Sequence, residues 1–148
     1  MFLGHFEHSL DDKGRLTIPA RFRELLGGGA YITQGFDRCL MVMPGTYFNE
    51  VYEHLSALNL ADPTARLMRR MILATAYSLE LDKVGRVLVP LYLRQFAGLD
   101  GAAIVAGQGE YFEVWTPGAW NEQVKQIQDT DATNQRFATL NLSGRPQA

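Results

Sequence analysis

"DDKGRLTIPARFR" spans residues 11–23, and "LDKVGRVLVPLYLR" spans residues 81–94. Aligning Gly14 with Gly85 sets an offset of 71 residues. It lays Asp11 on Asp82, Arg15 on Arg86, Leu16 on Val87, Ile18 on Val89, Pro19 on Pro90, Phe22 on Leu93 and Arg23 on Arg94. Further along, "CLMVMPGTYF" from Cys39 matches "FEVWTPGAWN" from Phe112 at an offset of 73, so that Pro44 meets Pro117, Gly45 meets Gly118 and Tyr47 meets Trp120. A two-residue length change in one loop reconciles the offsets. A chain of 148 residues has room for one domain or two very small ones. An internal repeat is read before any other feature. Two copies are too few for a solenoid and predict two intertwined halves about a pseudo-two-fold axis.

Each copy carries the same local physics. An alternating stretch, an Asp/Lys/Gly turn and a short apolar-polar-apolar run read as strand, turn, strand. Gly14 and Gly85 can take a positive φ at the tight turn. Pro19 and Pro90 end the strands and suit the first position of a helix. Phe22, Leu25 and Leu26 then form one apolar face of a short helix stopped at Gly27, repeated by Leu93, Phe96, Ala97 and Gly98. The glycines at 27–29 loosen the loop that follows the first of these helices. Apolar strands follow in each half, "AYIT" and "CLMVM" in the first, "AAIVAG" and "YFEVW" in the second. Helices are expected near Tyr47–Leu58 and Ala119–Gln128. The organisation reads as a first half at 1–60, a connecting helix at 61–76, a second half at 77–128 and a partly disordered tail at 129–148. In the connecting helix Asp62 caps, Pro63 opens, and Leu67, Met68, Met71 and Ile72 form a stripe with Arg66, Arg69 and Arg70 on the polar side.

Composition sets the class. At 47% hydrophobic and 20% charged residues the chain is ordinary globular protein. No apolar run approaches the roughly 20 residues that cross a bilayer, and "MFLGHFEHSL" lacks the features of a secretory signal. Cys39 is the only cysteine, which gives no intrachain disulfide and no zinc cluster. It reads as a small buried hydrophobe. These features point to the cytoplasm. The formal net charge of −2 argues mildly against a nucleic-acid partner, yet residues 13–94 hold 11 basic against 7 acidic side chains, which allows a basic face on an acidic protein.

The turns carry the chemistry. Lys13 and Arg15 stand beside Asp11 and Asp12, and Lys83 and Arg86 stand beside Asp82. A solvated hairpin with local ion pairs would explain one such turn. Two turns brought together by a pseudo-dyad would instead present paired cations on one surface. Arginine can donate two parallel bonds to guanine O6 and N7, while lysine and further arginines neutralise phosphate. Asp11 and Asp82 would orient the arginines.

"GHFEHSLDDKGRLTIPARFR", then "CLMVMP", "LDKVGRVLVPLYLR" and "FEVW", resemble the MraZ family of the AbrB-like swapped-hairpin superfamily of bacterial transcription factors, nearly over the whole chain to about residue 128. The resemblance implies an α+β fold: a tandem-duplicated, double-ψ-like swapped-hairpin β-barrel with flanking helices, both halves of the swap coming from one chain. It implies closed rings, octamers among them. It also implies binding to short G-rich direct repeats in double-stranded DNA upstream of the division and cell-wall gene cluster, with a repressor's role at the nucleoid. Its Asp-x-x-x-Arg element falls on Asp11 and Arg15 and on Asp82 and Arg86, and its DNA-contacting arginine on Arg15. Together with the turn chemistry, this makes Lys13, Arg15, Lys83 and Arg86 the candidate DNA contacts, with Asp11, Gly14, Asp82 and Gly85 as supports. Arg21, Arg23 and Arg94 are further candidates for phosphate.

Other chemistry is weaker. His5 and His8 flank Glu7, but residues three apart in a strand face opposite sides, so no metal and no cofactor is expected. Ser9, His8 and Asp11 are sequence neighbours rather than a triad. "GQGE" at 107–110 lacks the Lys-Ser/Thr of a phosphate loop and reads as a hairpin turn. His54 reads as a surface residue. Trp115 is expected in the barrel core and Trp120 as an anchor of its helix. Met41, Met43, Met68 and Met71 read as core or subunit interface. A protein-interaction scaffold, and less so a small enzyme, remain the alternatives to a DNA-binding regulator.

Overall fold

Three-residue strands cannot hold themselves together in water, so the pairing of the two short turn-strands decides the architecture. The computed structural model describes residues 1–142, in two units, residues 1–117 and the segment from residue 118. In the first unit β1 (His5–Ser9) leads through the first turn to β2 (Arg15–Thr17) and α1 (Ala20–Leu26), then β3 (Ala30–Gln34), β4 (Leu40–Pro44), α2 (Gly45–Ser56) and α3 (Pro63–Leu73). The second copy supplies β5 (Tyr77–Leu79), β6 (Arg86–Leu88), α4 (Leu91–Ala97), β7 (Ala102–Gly107) and β8 (Phe112–Trp115).

The two copies exchange strands. β2 pairs antiparallel with β6, with Leu16 opposite Val87, residues that are each other's repeat equivalents, so the pseudo-two-fold axis passes through this pair. β1 of the first copy pairs with β7 of the second, His8 opposite Ala103, and β5 of the second pairs with β3 of the first, Leu79 opposite Ala30. These are the same pairing under the repeat offsets. The larger sheet runs β1-β7-β8-β4-β3-β5, and β2-β6 is a separate ribbon. The closed barrel implied by the resemblance is therefore not formed as one hydrogen-bonded sheet. β2 and β6 spend their short ladders on each other, and β1 and β5 remain as edges.

Packing joins the ribbon to the sheet. Leu16, Ile18, Val87 and Val89 of the ribbon join Ile32, Val42, Val105 and Val114 of the sheet in one core. Phe22 of α1 is fully buried, edge-on to Phe2 and Phe6 at ring-centre distances of 5.0 and 5.5 Å and beside Phe112 at 5.2 Å. On the other sheet face Met41 and Met43 line an apolar cavity with Val51 and Leu55 of α2 and Ile72 of α3. Asp62 caps α3 by accepting from the Thr64 N–H at 2.9 Å, as the sequence led one to expect. Cys39 is fully buried, its thiol pushed up by burial and by Glu113. Gln108 N–H donates to Tyr111 O, making 107–110 a hairpin turn.

Three expectations need correction. Leu25 is exposed rather than part of the core face; Phe22 and Leu26, four apart, fill that role. Pro19 and Pro90 sit at the N-cap with extended ψ, one residue before the helices begin, because each still completes its strand. In the α3 stripe, Ile72 is buried but Leu67 and Met68 are exposed. The second unit holds α5 (Pro117–Gln128) and α6 (Thr130–Phe137), the latter capped by Asp129 accepting from Ala132 N–H at 3.2 Å and tied to α5 by Arg136 Nη1 donating to Gln126 Oε1 at 2.7 Å. Trp120 lies half-buried on α5. Of the tail expected at 129–148 to be partly disordered, residues 130–137 form α6, and residues 143–148 lie outside the described residues.

Burial predicts a sharp contrast on α1. Phe22→Ala should lower unfolding free energy by about 3–5 kcal/mol, whereas Leu25→Ala should stay within about 0.5 kcal/mol of the parent; chemical denaturation of both variants checks this.

Candidate nucleic-acid interface

Each turn is built by its own aspartate. Asp11 Oδ1 accepts from the backbone N–H groups of Lys13 (3.0 Å) and Arg15 (2.9 Å), and Asp11 Oδ2 accepts from Arg15 Nε at 2.7 Å. Asp82 repeats this with Val84 (3.0 Å), the Arg86 N–H (2.8 Å) and Arg86 Nε (2.9 Å). Gly14 and Gly85 close the turns with φ of 79° and 83°. An L side chain there meets steric strain. The carboxylates are held below their ordinary value of 3.8, first by the backbone N–H of Arg15 or Arg86 and then by that residue's guanidinium.

Strand alternation then aims the arginines. In β2 and β6 Leu16 and Val87 point inward, so Arg15 and Thr17 share the outer face with Arg86 and Leu88. The turns adjoin: Arg86 Nη1 lies 3.5 Å from Asp11 Oδ2 of the other turn. Arg15 and Arg86 keep 33% and 30% of their side-chain surface exposed while Nε of each is anchored by its own aspartate. Lys13 and Lys83 are exposed at the tips, and Arg21 is exposed on α1. Thus Arg15 and Arg86 share one face of the ribbon, and Lys13 and Lys83 are exposed in the turns that lead into its two strands.

Arg23 and Arg94 are engaged inside the protein. Arg23 Nε donates to Ile18 O at 2.7 Å and Arg94 Nε to Val89 O at 2.9 Å. Each guanidinium lies against the turn glycine of the opposite half, where a Cβ on Gly85 would strike Arg23 and one on Gly14 would strike Arg94. Burial, then the Arg23 charge, holds His8 toward its neutral form. Sequence reasoning missed these contacts with the turn glycines and also missed Thr17 and Leu88; only the strand alternation, combined with the Leu16–Val87 register, identifies the latter two. Among the described residues, no group of three or more His, Cys, Asp or Glu is gathered to hold a metal, and no helix is long and apolar enough to cross a membrane.

Fold and turns define a class: a single-chain, two-repeat α+β protein with exchanged strands and paired, aspartate-anchored arginines on one ribbon. The family model described as "MraZ protein, putative antitoxin-like" matches twice, over residues 1–71 and 72–141. The chain is 46% identical to the Transcriptional regulator MraZ of Thermomicrobium roseum across 95% of this chain and 99% of that one. It is 44% identical to the protein of that name in Roseiflexus castenholzii (90% and 92%) and 41% identical to the one in Desulfitobacterium hafniense (90% and 93%). The chain belongs to the MraZ family.

Two outcomes follow from the turn geometry. A carboxyl with a depressed pKa contributes stability above its unfolded value and loses it as pH falls through the folded value. The Arg15 and Arg86 amide resonances, whose N–H groups donate to these carboxylates, should therefore titrate with midpoints below 3.8; a midpoint above 3.8 contradicts the hydrogen-bond pattern. Gly14→Ala should destabilise by at least about 1–2 kcal/mol from its left-handed backbone, with a further loss where the new Cβ strikes Arg94, seen as a lower denaturation midpoint.

Proposed function

We propose that this protein is a DNA-binding transcriptional regulator that reads guanine edges with Arg15 and Arg86 and grips phosphate with Lys13 and Lys83. The observation that carries this is the joining of the two turns: Asp11 touches the arginines of both, so one ribbon presents two preoriented guanidinium groups. An aspartate-fixed arginine loses little freedom on forming two parallel bonds to guanine O6 and N7, the commonest specific contact in the major groove. A two-stranded ribbon is also narrow enough to enter that groove. The names of the relatives, Transcriptional regulator MraZ, support the same reading.

The resemblance to swapped-hairpin regulators supports the finer assignment: a repressor of the division and cell-wall gene cluster, acting in the cytoplasm at the nucleoid on short G-rich direct repeats. We also propose that the chain works as a closed ring, octameric on that resemblance. Exposed Leu67, Met68, Leu91 and Tyr92 leave apolar surface that neighbouring subunits would cover. Closed heterologous contacts would set every subunit's turns on one rim. Several modest sites on one duplex then gain by effective concentration, which reconciles DNA binding with an acidic chain.

Fluorescence anisotropy on full-length protein tests the reading. Duplexes with tandem G-rich repeats should bind more tightly than scrambled duplexes, with affinity falling steeply as salt rises. Arg15→Ala or Arg86→Ala should remove about 1–3 kcal/mol of that discrimination, roughly 5- to 150-fold, with melting temperature unchanged. A scaffold or an enzyme would show no preference between the duplexes.

A further inference from the structure

We infer that Arg23 and Arg94 are positioning residues, each bracing the recognition turn of the opposite half rather than contacting DNA. Both arise from the short helix after their own strand, and both spend Nε on a carbonyl of that strand, Ile18 O and Val89 O. That bond aims the planar head across the pseudo-dyad. Arg94 thereby lies against Gly14 of the first turn, and Arg23 against Gly85 of the second. The backbone crosses in the same sense, since Ile18 N–H donates to Gly85 O and Val89 N–H donates to Gly14 O, both at 2.9 Å. Each turn is thus held from below by the other copy's strand and the other copy's arginine.

The glycines acquire a second duty. Gly14 and Gly85 are buried, and the face that a side chain would occupy is filled by a guanidinium. A planar, delocalised head suits that flat contact with backbone, and lysine offers a point charge without the plate. Half-buried and bonded inward, these arginines act on Arg15 and Arg86 through the turns they support. The consequence for DNA rests on the function proposed above; the bracing itself does not.

Hydrogen–deuterium exchange on the full-length protein, read in peptides covering each turn, separates the possibilities. Arg94→Ala should speed exchange across Asp11–Arg15 and leave Asp82–Arg86 near the parent, and Arg23→Ala should do the reverse. Arg94→Lys and Arg23→Lys, which keep stem and charge, guard against general loosening and should give the same crossed pattern. Faster exchange confined to the variant's own half, equal in both turns of the lysine variants, or absent altogether overturns the bracing. In DNA binding, Arg94→Ala should narrow the preference for G-rich over scrambled duplex while the slope of log affinity against log salt stays parental, and Arg94→Lys should not rescue it. A slope flattened by about 1, with rescue by lysine, would make the residue a phosphate contact and sink the inference. If the parent shows no sequence preference, the proposed function falls, and the exchange pattern still decides the bracing.

Discussion

The antiparallel pairing of Leu16 with Val87 is the constraint on which the rest of the molecule depends. The two residues are 71 positions apart, and closing a loop of that length costs roughly 4 kcal/mol in chain entropy. Three-residue strands return little of that through their ladder. Burial of Leu16, Ile18, Val87 and Val89, none more than 1% exposed, returns more, at roughly 1.5–3 kcal/mol for each side chain. The ribbon therefore exists because its inner face seals the core above the six-stranded sheet. Its outer face, with both arginines, comes as a consequence of strand alternation.

Strand exchange makes the two halves inseparable. Because β1 lies on β7 and β5 lies on β3, neither copy can unfold without stripping strands from the other. Local opening of one turn breaks contacts made by both halves, so each turn is held more firmly than an ordinary surface loop. Short polar loops usually carry function at the expense of order. Here the tips are fixed twice, by an aspartate within the turn and by backbone bonds from the opposite half.

The duplication was legible because the turn chemistry is local: aspartate, glycine and arginine at fixed spacing specify a turn wherever they occur. Intertwining of the halves was expected from the repeat, but the particular strand partners were not, since an offset of 71 says which residues are equivalent and not which strands pair. Leu25 shows a second limit. Positions i+3 and i+4 of a short helix both satisfy an apolar pattern, and only the neighbours decide; its counterpart Phe96 is half-buried under the Arg38 guanidinium, 5.1 Å from the ring centre. Arg23 and Arg94 illustrate a third. A basic residue repeated at equivalent positions marks a shared constraint, but charge alone suggested phosphate, and their placement against the glycines needed the fold.

The pseudo-dyad is broken where it would matter for reading DNA. Arg15 and Arg86 are equivalent, yet Arg15 sits opposite Leu88 and Arg86 opposite Thr17. The lysines also occupy different turn positions, with Lys13 equivalent to Val84 and Lys83 to Asp12. A perfect two-fold would demand a palindrome from the duplex. An imperfect one, with a hydroxyl beside one guanidinium and an exposed leucine beside the other, matches a site whose two ends differ. Subunits related by rotation around a closed assembly repeat such a site in one orientation. On the proposed reading, direct rather than inverted repeats thus follow from the divergence of Thr17 and Leu88 as much as from the ring. The divergence leaves the buried Leu16–Val87 pair untouched, which is why the fold tolerates asymmetry on the face that recognition can use.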